Sequence, residues 1–223
     1  MATLATVHPA TAVLRDEPEF LGSVLGGIPI GALTEIAGPA SSGRTTVLCA
    51  LLAEATAGGG FCALIDTQGA FDPASAAAAG VRLSQVLWVR CGGNAEHALK
   101  AADMLAQAGG FGLVALDLAD TPVKISRRIP LAAWFRLRRA VQNTQTALVS
   151  MGARFNASTS AAVKIELVRD RAVWRGRLLE GMEITAQRTR HHQSRLETFV
   201  AMWGGPPGCS LSRDPRPTSS SAS

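Results

Sequence analysis

At 223 residues, 47% hydrophobic and 17% charged, the chain has apolar material for one substantial core and no room for a second large domain. The net charge of +5 is unevenly split, with 5 Lys/Arg against 11 Asp/Glu in residues 1–123 and 17 against 6 in residues 124–223, which suggests a polyanion or an acidic protein as partner. Scattered Cys49, Cys62, Cys91 and Cys209 argue against a zinc site or disulfide framework, acidic Asp16, Glu17 and Glu19 against a signal peptide, and the lack of about 18 consecutive uncharged apolar residues against a membrane span, so a cytoplasmic protein is expected.

Residues 1–19 lack sustained periodicity and read as a mobile leader, too short for a domain. The core is expected over 20–203. Leu33-Thr34-Glu35-Ile36-Ala37 reads as a strand, followed by a Gly-rich turn and a helix over about 44–57. After the Gly58-Gly59-Gly60 break, Phe61 to Ile65 forms a strand closing on Asp66, which completes a βαβ unit. A short helix at 73–79, a strand at 86–89, an amphipathic helix at 95–108 and an apolar strand at 112–116 ending on Asp117 continue the alternation. A helix over about 130–142 and a strand at 146–151 follow. Beyond a Ser/Ala/Asn-rich loop, polar-alternating runs at 163–169, 182–189 and 196–203 read as antiparallel strands extending one edge. Residues 204–223, rich in Pro, Gly and Ser, read as a disordered tail. Continuous apolar strands between helices indicate an α/β fold: a mostly parallel central sheet covered on both faces, with antiparallel edge strands at the C-terminal end. Trp88, Trp134, Trp174 and Trp203 lie in apolar or amphipathic runs and are expected in the core, while His191 and His192 fit a solvated hairpin turn better than a metal site.

The turn is the most informative segment. Gly38-Pro39-Ala40-Ser41-Ser42-Gly43-Arg44-Thr45-Thr46 follows the phosphate-binding pattern of Gly, four residues, Gly-Lys and Ser/Thr, except that Arg44 stands in the lysine position. Glycines let backbone N–H groups wrap phosphates, the cation reaches the outer phosphates, and the hydroxyl of Thr45 meets Mg²⁺. The nucleotide contacts expected are Gly38, Ser41, Ser42, Gly43, Arg44, Thr45 and Thr46, with ATP and Mg²⁺ as ligands; a Gly-rich turn without a phosphate is the bland alternative.

Leu25 to Thr46 resembles bacterial RecA recombinases nearly position by position, and so does Ile65-Asp66-Thr67-Gln68-Gly69-Ala70-Phe71-Asp72-Pro73 followed by Gly80-Val81. The resemblance spans about residues 20–203 and weakens after 150. It implies a RecA-like P-loop NTPase core. Asp117 resembles the second carboxylate of that class, which orients Mg²⁺ through water, with a turn cap as the alternative. Asp72 serves equally as a nucleotide contact or as the turn residue before Pro73.

Departures from the family fall on positions it uses for ATP turnover. Arg44 keeps a charge but cannot place a compact ammonium between phosphates. Gln68 stands where the family has the glutamate that activates water, and an amide is no general base. Ser75 replaces the usual aromatic residue against adenine. Gly152 and Ala153 take the place of an Asn-Gln pair that senses the γ-phosphate. Arg44 and Gln68 are therefore degenerate catalytic positions, and a weak or inactive ATPase is expected.

Two family loops that hold single-stranded DNA correspond to Thr121–Pro130 and Arg154–Ala162, where Lys124, Arg127, Arg128, Arg154, Phe155 and Asn156 offer phosphate contacts and one stacking platform. A solvated basic face is the equal alternative. The leader offers no counterpart to the segment with which RecA subunits grip their neighbours, so the oligomeric state stays open. Size, degenerate turnover positions and the basic second half together resemble the ImuA group, RecA-related accessory proteins of damage-induced mutagenesis. That resemblance implies single-stranded DNA or the RecA filament, and ImuB-like and polymerase proteins, as partners. An ATP-driven recombinase or mediator and an SOS cell-division regulator acting by protein contact are the alternatives.

Overall fold

The computed structural model describes residues 20–190, 193–202 and 211–213. The leader, His191, His192, Trp203 and most of the tail lie outside the described residues. A two-residue ladder, β1 (Phe20–Leu21) with β2 (Ile28–Pro29), precedes the main sheet and is too short to leave a periodic signal. β3 (Leu33–Ala37) leads to α1 (Arg44–Ala57), then β4 (Phe61–Asp66), α2 (Pro73–Ala78), β5 (Val86–Arg90), α3 (Ala95–Ala108) and β6 (Phe111–Asp117). A short helix α4 (Val123–Ser126), α5 (Leu131–Val141) and β7 (Ala147–Gly152) follow. The chain then forms β8 (Val163–Arg175), β9 (Leu178–Arg190), β10 (Gln193–Met202) and β11 (Leu211–Arg213).

One nine-stranded sheet carries the molecule, in the order β11-β10-β9-β8-β3-β7-β6-β4-β5. Pairings from β8 through β3, β7, β6 and β4 to β5 are parallel, and those from β8 outward are antiparallel. The α/β class with antiparallel strands at one edge is thus as the sequence predicts. Residues 62–65 and 113–116 are wholly buried because helices cover both faces, which is why their sequences run apolar rather than alternating. On one face α1 packs Val47, Leu48, Leu51, Leu52 and Ala55 onto Ile36, Leu64 and Ala115. On the other, α3 lays the small residues Ala98, Ala102 and Ala106 close to the sheet while α5 buries Trp134, Leu137 and Val141. Asn94 caps α3, its Oδ1 accepting from the N–H groups of Glu96 at 2.9 Å and His97 at 3.1 Å.

Three expectations need correction. The antiparallel runs are much longer than alternation suggests: β8 and β9 each span 13 residues and meet at a tight turn where Gly176 takes φ 61°. β8 is also parallel to β3 on its inner side, over Thr34↔Val163 to Ala37↔Glu166. Its remaining nine residues run on for about 30 Å past the end of β3. Trp174 lies on this extension and is 59% exposed, so it is not a core residue, unlike Trp134 at 0%. Leu211–Arg213 of the expected tail forms a strand against β10. Among the described residues no helix is long and apolar enough to cross a membrane.

Candidate functional site

Parallel pairing aligns the carboxyl ends of β3, β4, β6 and β7 along one edge, and the loops singled out in the sequence leave from it. Backbone bonds tie these ends together: Gly38 N–H donates to Gly152 C=O at 3.2 Å, Thr67 N–H to Asp117 C=O at 3.2 Å, and Leu118 N–H to Met151 C=O at 2.9 Å. A side chain at 152 would be costly, since a Cβ there would stand 2.9 Å from Arg154 C=O.

From β3 the backbone turns through Ser41 at φ 59° and Gly43 at φ 88° into α1. Such a turn gathers successive N–H groups into a concavity suited to an anion, and the first N–H groups of α1 have no intrahelical acceptor. Gly43 is favoured by its positive φ, and a Cβ there would also press on Ile184, 2.1 Å from its Cδ1. At Gly38 a Cβ would stand 2.3 Å from Ser42 Oγ and 2.7 Å from Leu167 C=O. Ser42 Oγ is buried with no hydrogen-bond partner among the described residues.

Beyond its four pairs with β3, β8 overhangs this loop together with β9. A cavity of about 320 Å³ opens between them, with Ser41, Gly43, Arg44, Thr45 and Thr46 on one wall and Arg169, Ala172, Gly181 and Met182 on the other. The second wall was not anticipated from sequence. Residues 169–182 are charge-rich and interrupted by glycine, and what brings them to the loop is strand pairing, which has no local signature.

Arg44 lines the cavity, but its guanidinium is already engaged. Its Nη1 donates to Ala119 C=O at 2.9 Å and its Nη2 to Asp120 Oδ1 at 3.4 Å, with the side chain 9% exposed. Asp117 lies just before that turn, and its Oδ1 accepts from Ala119 N–H at 2.8 Å. Burial pushes the Asp117 carboxyl up to about 6; the Ala119 hydrogen bond opposes this, as does Arg44, while the charges of Asp66 and Asp120 reinforce it. Gln68 is exposed beside Gly93, on a turn held by Asp66. The Asp66 carboxylate accepts from the N–H groups of Gly69 at 2.7 Å, Ala70 at 3.1 Å and Phe71 at 3.0 Å, and from Trp88 Nε1 at 3.2 Å. Asp66 therefore builds the turn rather than waiting for a ligand, a role its position before Thr-Gln-Gly hints at. Asp72 caps α2, accepting from Ser75 N–H at 2.9 Å and Ser75 Oγ at 2.5 Å, and these bonds hold its carboxyl below the usual range. Gln68, Asp72 and Asp117 are not among the residues lining the cavity.

The two basic loops differ in kind. Lys124, Arg127 and Arg128 are exposed on α4 and its C-terminal end. Arg154 and Phe155 are exposed as well, but Lys164 Nζ sits 5.6 Å from the Phe155 ring centroid, so one face of that platform already carries a cation. Asn156 helps build its loop: its N–H and that of Ala157 donate to Glu35 Oε1, and its Nδ2 donates to Arg154 C=O at 3.0 Å. Burial raises the Glu35 carboxyl against those two bonds and the Lys164 charge.

A triphosphate fits the concavity, given its left-handed turn, the free N–H groups of α1 and the orphaned Ser42 hydroxyl. Thr45 and Asp117 would hold Mg²⁺, which when bound neutralises phosphate charge. Ala172 and Met182 give the lining its apolar part, without an aromatic ring among the described residues.

The RecA N-terminal domain model matches residues 20–171. Protein RecA of Rickettsia massiliae (strain Mtu5) is 43% identical over 93 residues, 42% of this chain and 27% of the relative. Protein RecA of Laribacter hongkongensis is 33% identical over 139 residues, 56% of this chain and 39% of the relative. That of Corynebacterium urealyticum is 30% identical over 197 residues, 74% of this chain and 52% of the relative. The chain thus spans between about a quarter and a half of the length of these curated relatives. With more than half of its residues matched, the chain belongs to the RecA N-terminal domain family.

Proposed function

We propose that this chain is a RecA-like accessory factor of DNA damage tolerance that holds a nucleoside triphosphate without turning it over briskly. The observation that carries this reading is the engagement of Arg44 by Ala119 and Asp120, which leaves the loop without the cation its sequence position normally supplies. Gln68 adds to it, because an exposed amide cannot take a proton from water at neutral pH. On this reading Lys124, Arg127, Arg128 and Arg154 contact single-stranded DNA or the RecA filament in the cytoplasm, and ImuB-like and polymerase proteins are partners.

ATP hydrolysis measured with and without single-stranded DNA tests it. Near-background turnover is expected in both cases, and rates typical of ordinary enzymes, about 1 s⁻¹ or more, would overturn it. Restoring Arg44→Lys and Gln68→Glu together should raise turnover only modestly, because Gly152 and Ala153 still lack polar groups. A recombinase reading is kept alive by one feature, the retention of Thr45 and Asp117 at the Mg²⁺ positions. Strand-exchange activity of the wild-type chain would decide for it.

A further inference from the structure

The overhanging hairpin carries Arg169, Arg171 and Arg175 close together in sequence, and two of them are already engaged. Arg171 places Nε and Nη2 on the two Glu183 oxygens, each at 2.6 Å, and Arg175 Nε meets Glu180 Oε1 at 2.6 Å. The remaining acid, Asp170, accepts the Thr185 hydroxyl at 2.6 Å. Arg169 is exposed, lines the cavity opposite Thr45 and Thr46, and has no ion pair or hydrogen bond among the described residues. Its direction follows from the ladder, which slips by one residue between Arg169 and Arg171. Bulges of this kind re-aim side chains. Arg169 pairs directly with Ile184, so both project from the same face of the hairpin, and Ile184 is the residue that abuts Gly43.

We propose that Arg169 is the cation that meets the phosphates of a nucleoside triphosphate in this loop, in place of Arg44, whose guanidinium is held by Ala119 and Asp120. This rests on the reading of residues 38–46 as a phosphate cradle. The physical demand is simple: a triphosphate brings several negative charges into a cavity whose loop cation is already bonded to Ala119 and Asp120. A planar guanidinium with donors free can meet phosphate oxygens in a bidentate fork. Its place on the hairpin also makes triphosphate binding sensitive to how β8 and β9 sit over α1.

The test is titration of a fluorescent ATP analogue, with AMP as competitor, into the full chain and into Arg169→Ala, Arg169→Lys, Arg44→Ala and Arg177→Ala. Arg169→Ala should weaken the triphosphate about tenfold or more, the scale of a lost charged hydrogen bond, and AMP much less. Arg169→Lys, which keeps the charge and loses the fork, should recover part of the loss, which a merely structural role would not predict. Arg44→Ala should cost less than Arg169→Ala, and Arg177→Ala, exposed and outside the cavity lining, should match wild type. Wild-type affinity in Arg169→Ala, or a larger loss in Arg44→Ala, overturns the assignment while leaving the cradle intact. Absence of binding by the wild-type chain overturns the cradle reading itself, and the assignment with it.

Discussion

β3 and β8 lie side by side for four residue pairs and then part company. β3 stops at Ala37 and hands the chain to a glycine turn, whereas β8 runs on to Arg175 and folds back as β9. The parallel half gets its order from burial on both faces. The antiparallel extension gets its order from ladder bonds and ion pairs along a largely exposed ribbon. The cavity of about 320 Å³ lies where the two halves end at different heights. The half that carries the recognisable loop is thus buried on both faces and legible, while the half that closes it is largely exposed and set by pairing.

The largest test of that contrast compares two leucines. Leu64 on β4 is 0% exposed and Leu196 on β10 is 64% exposed. Leu64→Ala should cost about 3–4 kcal/mol and Leu196→Ala no more than about 0.5 kcal/mol in urea unfolding. Comparable losses would mean that the extension carries more of the core than its exposure indicates.

Next in size is the carboxylate that joins β3 to the loop leading into β8. Glu35→Ala removes the acceptor shared by the Asn156 and Ala157 N–H groups and should cost about 2–3 kcal/mol. Limited proteolysis should then cut within 153–162 sooner than in wild type, and an unchanged cleavage rate would show that the loop is held by other means.

The smallest effect is a gain. Burial pushes the Asp117 carboxyl up to about 6, above its ordinary value of 3.8, so between those values the folded state binds more protons than the unfolded one. Stability therefore falls as pH rises from about 4 through 6, and the penalty persists above that range. Asp117→Asn should stabilise the nucleotide-free chain at pH 7 by roughly 1–3 kcal/mol and flatten this part of the pH profile, leaving a residual slope of the same sign from Glu35. A destabilised Asp117→Asn would show that the charge itself is used structurally.

The parts legible in sequence are those whose cause is local. The Gly38–Thr46 turn shows in its glycine spacing, α3 in its periodicity and α1 in the apolar run that follows the turn, and β4, β6 and β7 show as largely apolar runs because both sides of each strand are dry. What escaped was decided by partners distant in the chain. Ala119 and Asp120, 75 and 76 residues away, set the direction of Arg44. The part Asn156 plays in building its loop escaped because Glu35, 121 residues earlier, accepts its backbone N–H. The length of β8 and β9 escaped because charged residues satisfy an exposed ladder as well as alternating ones do.

Taken alone, the order of residues determined the loop, its flanking strand and helix, the parallel core and the loss of the usual lysine and glutamate, since each is a matter of residue type at short spacing. Tertiary structure decided which arginine faces the cradle and what roofs it. Charge is long-ranged and a side chain turns toward whichever partner the fold brings near, so no count of arginines along the chain could have told Arg44 from Arg169.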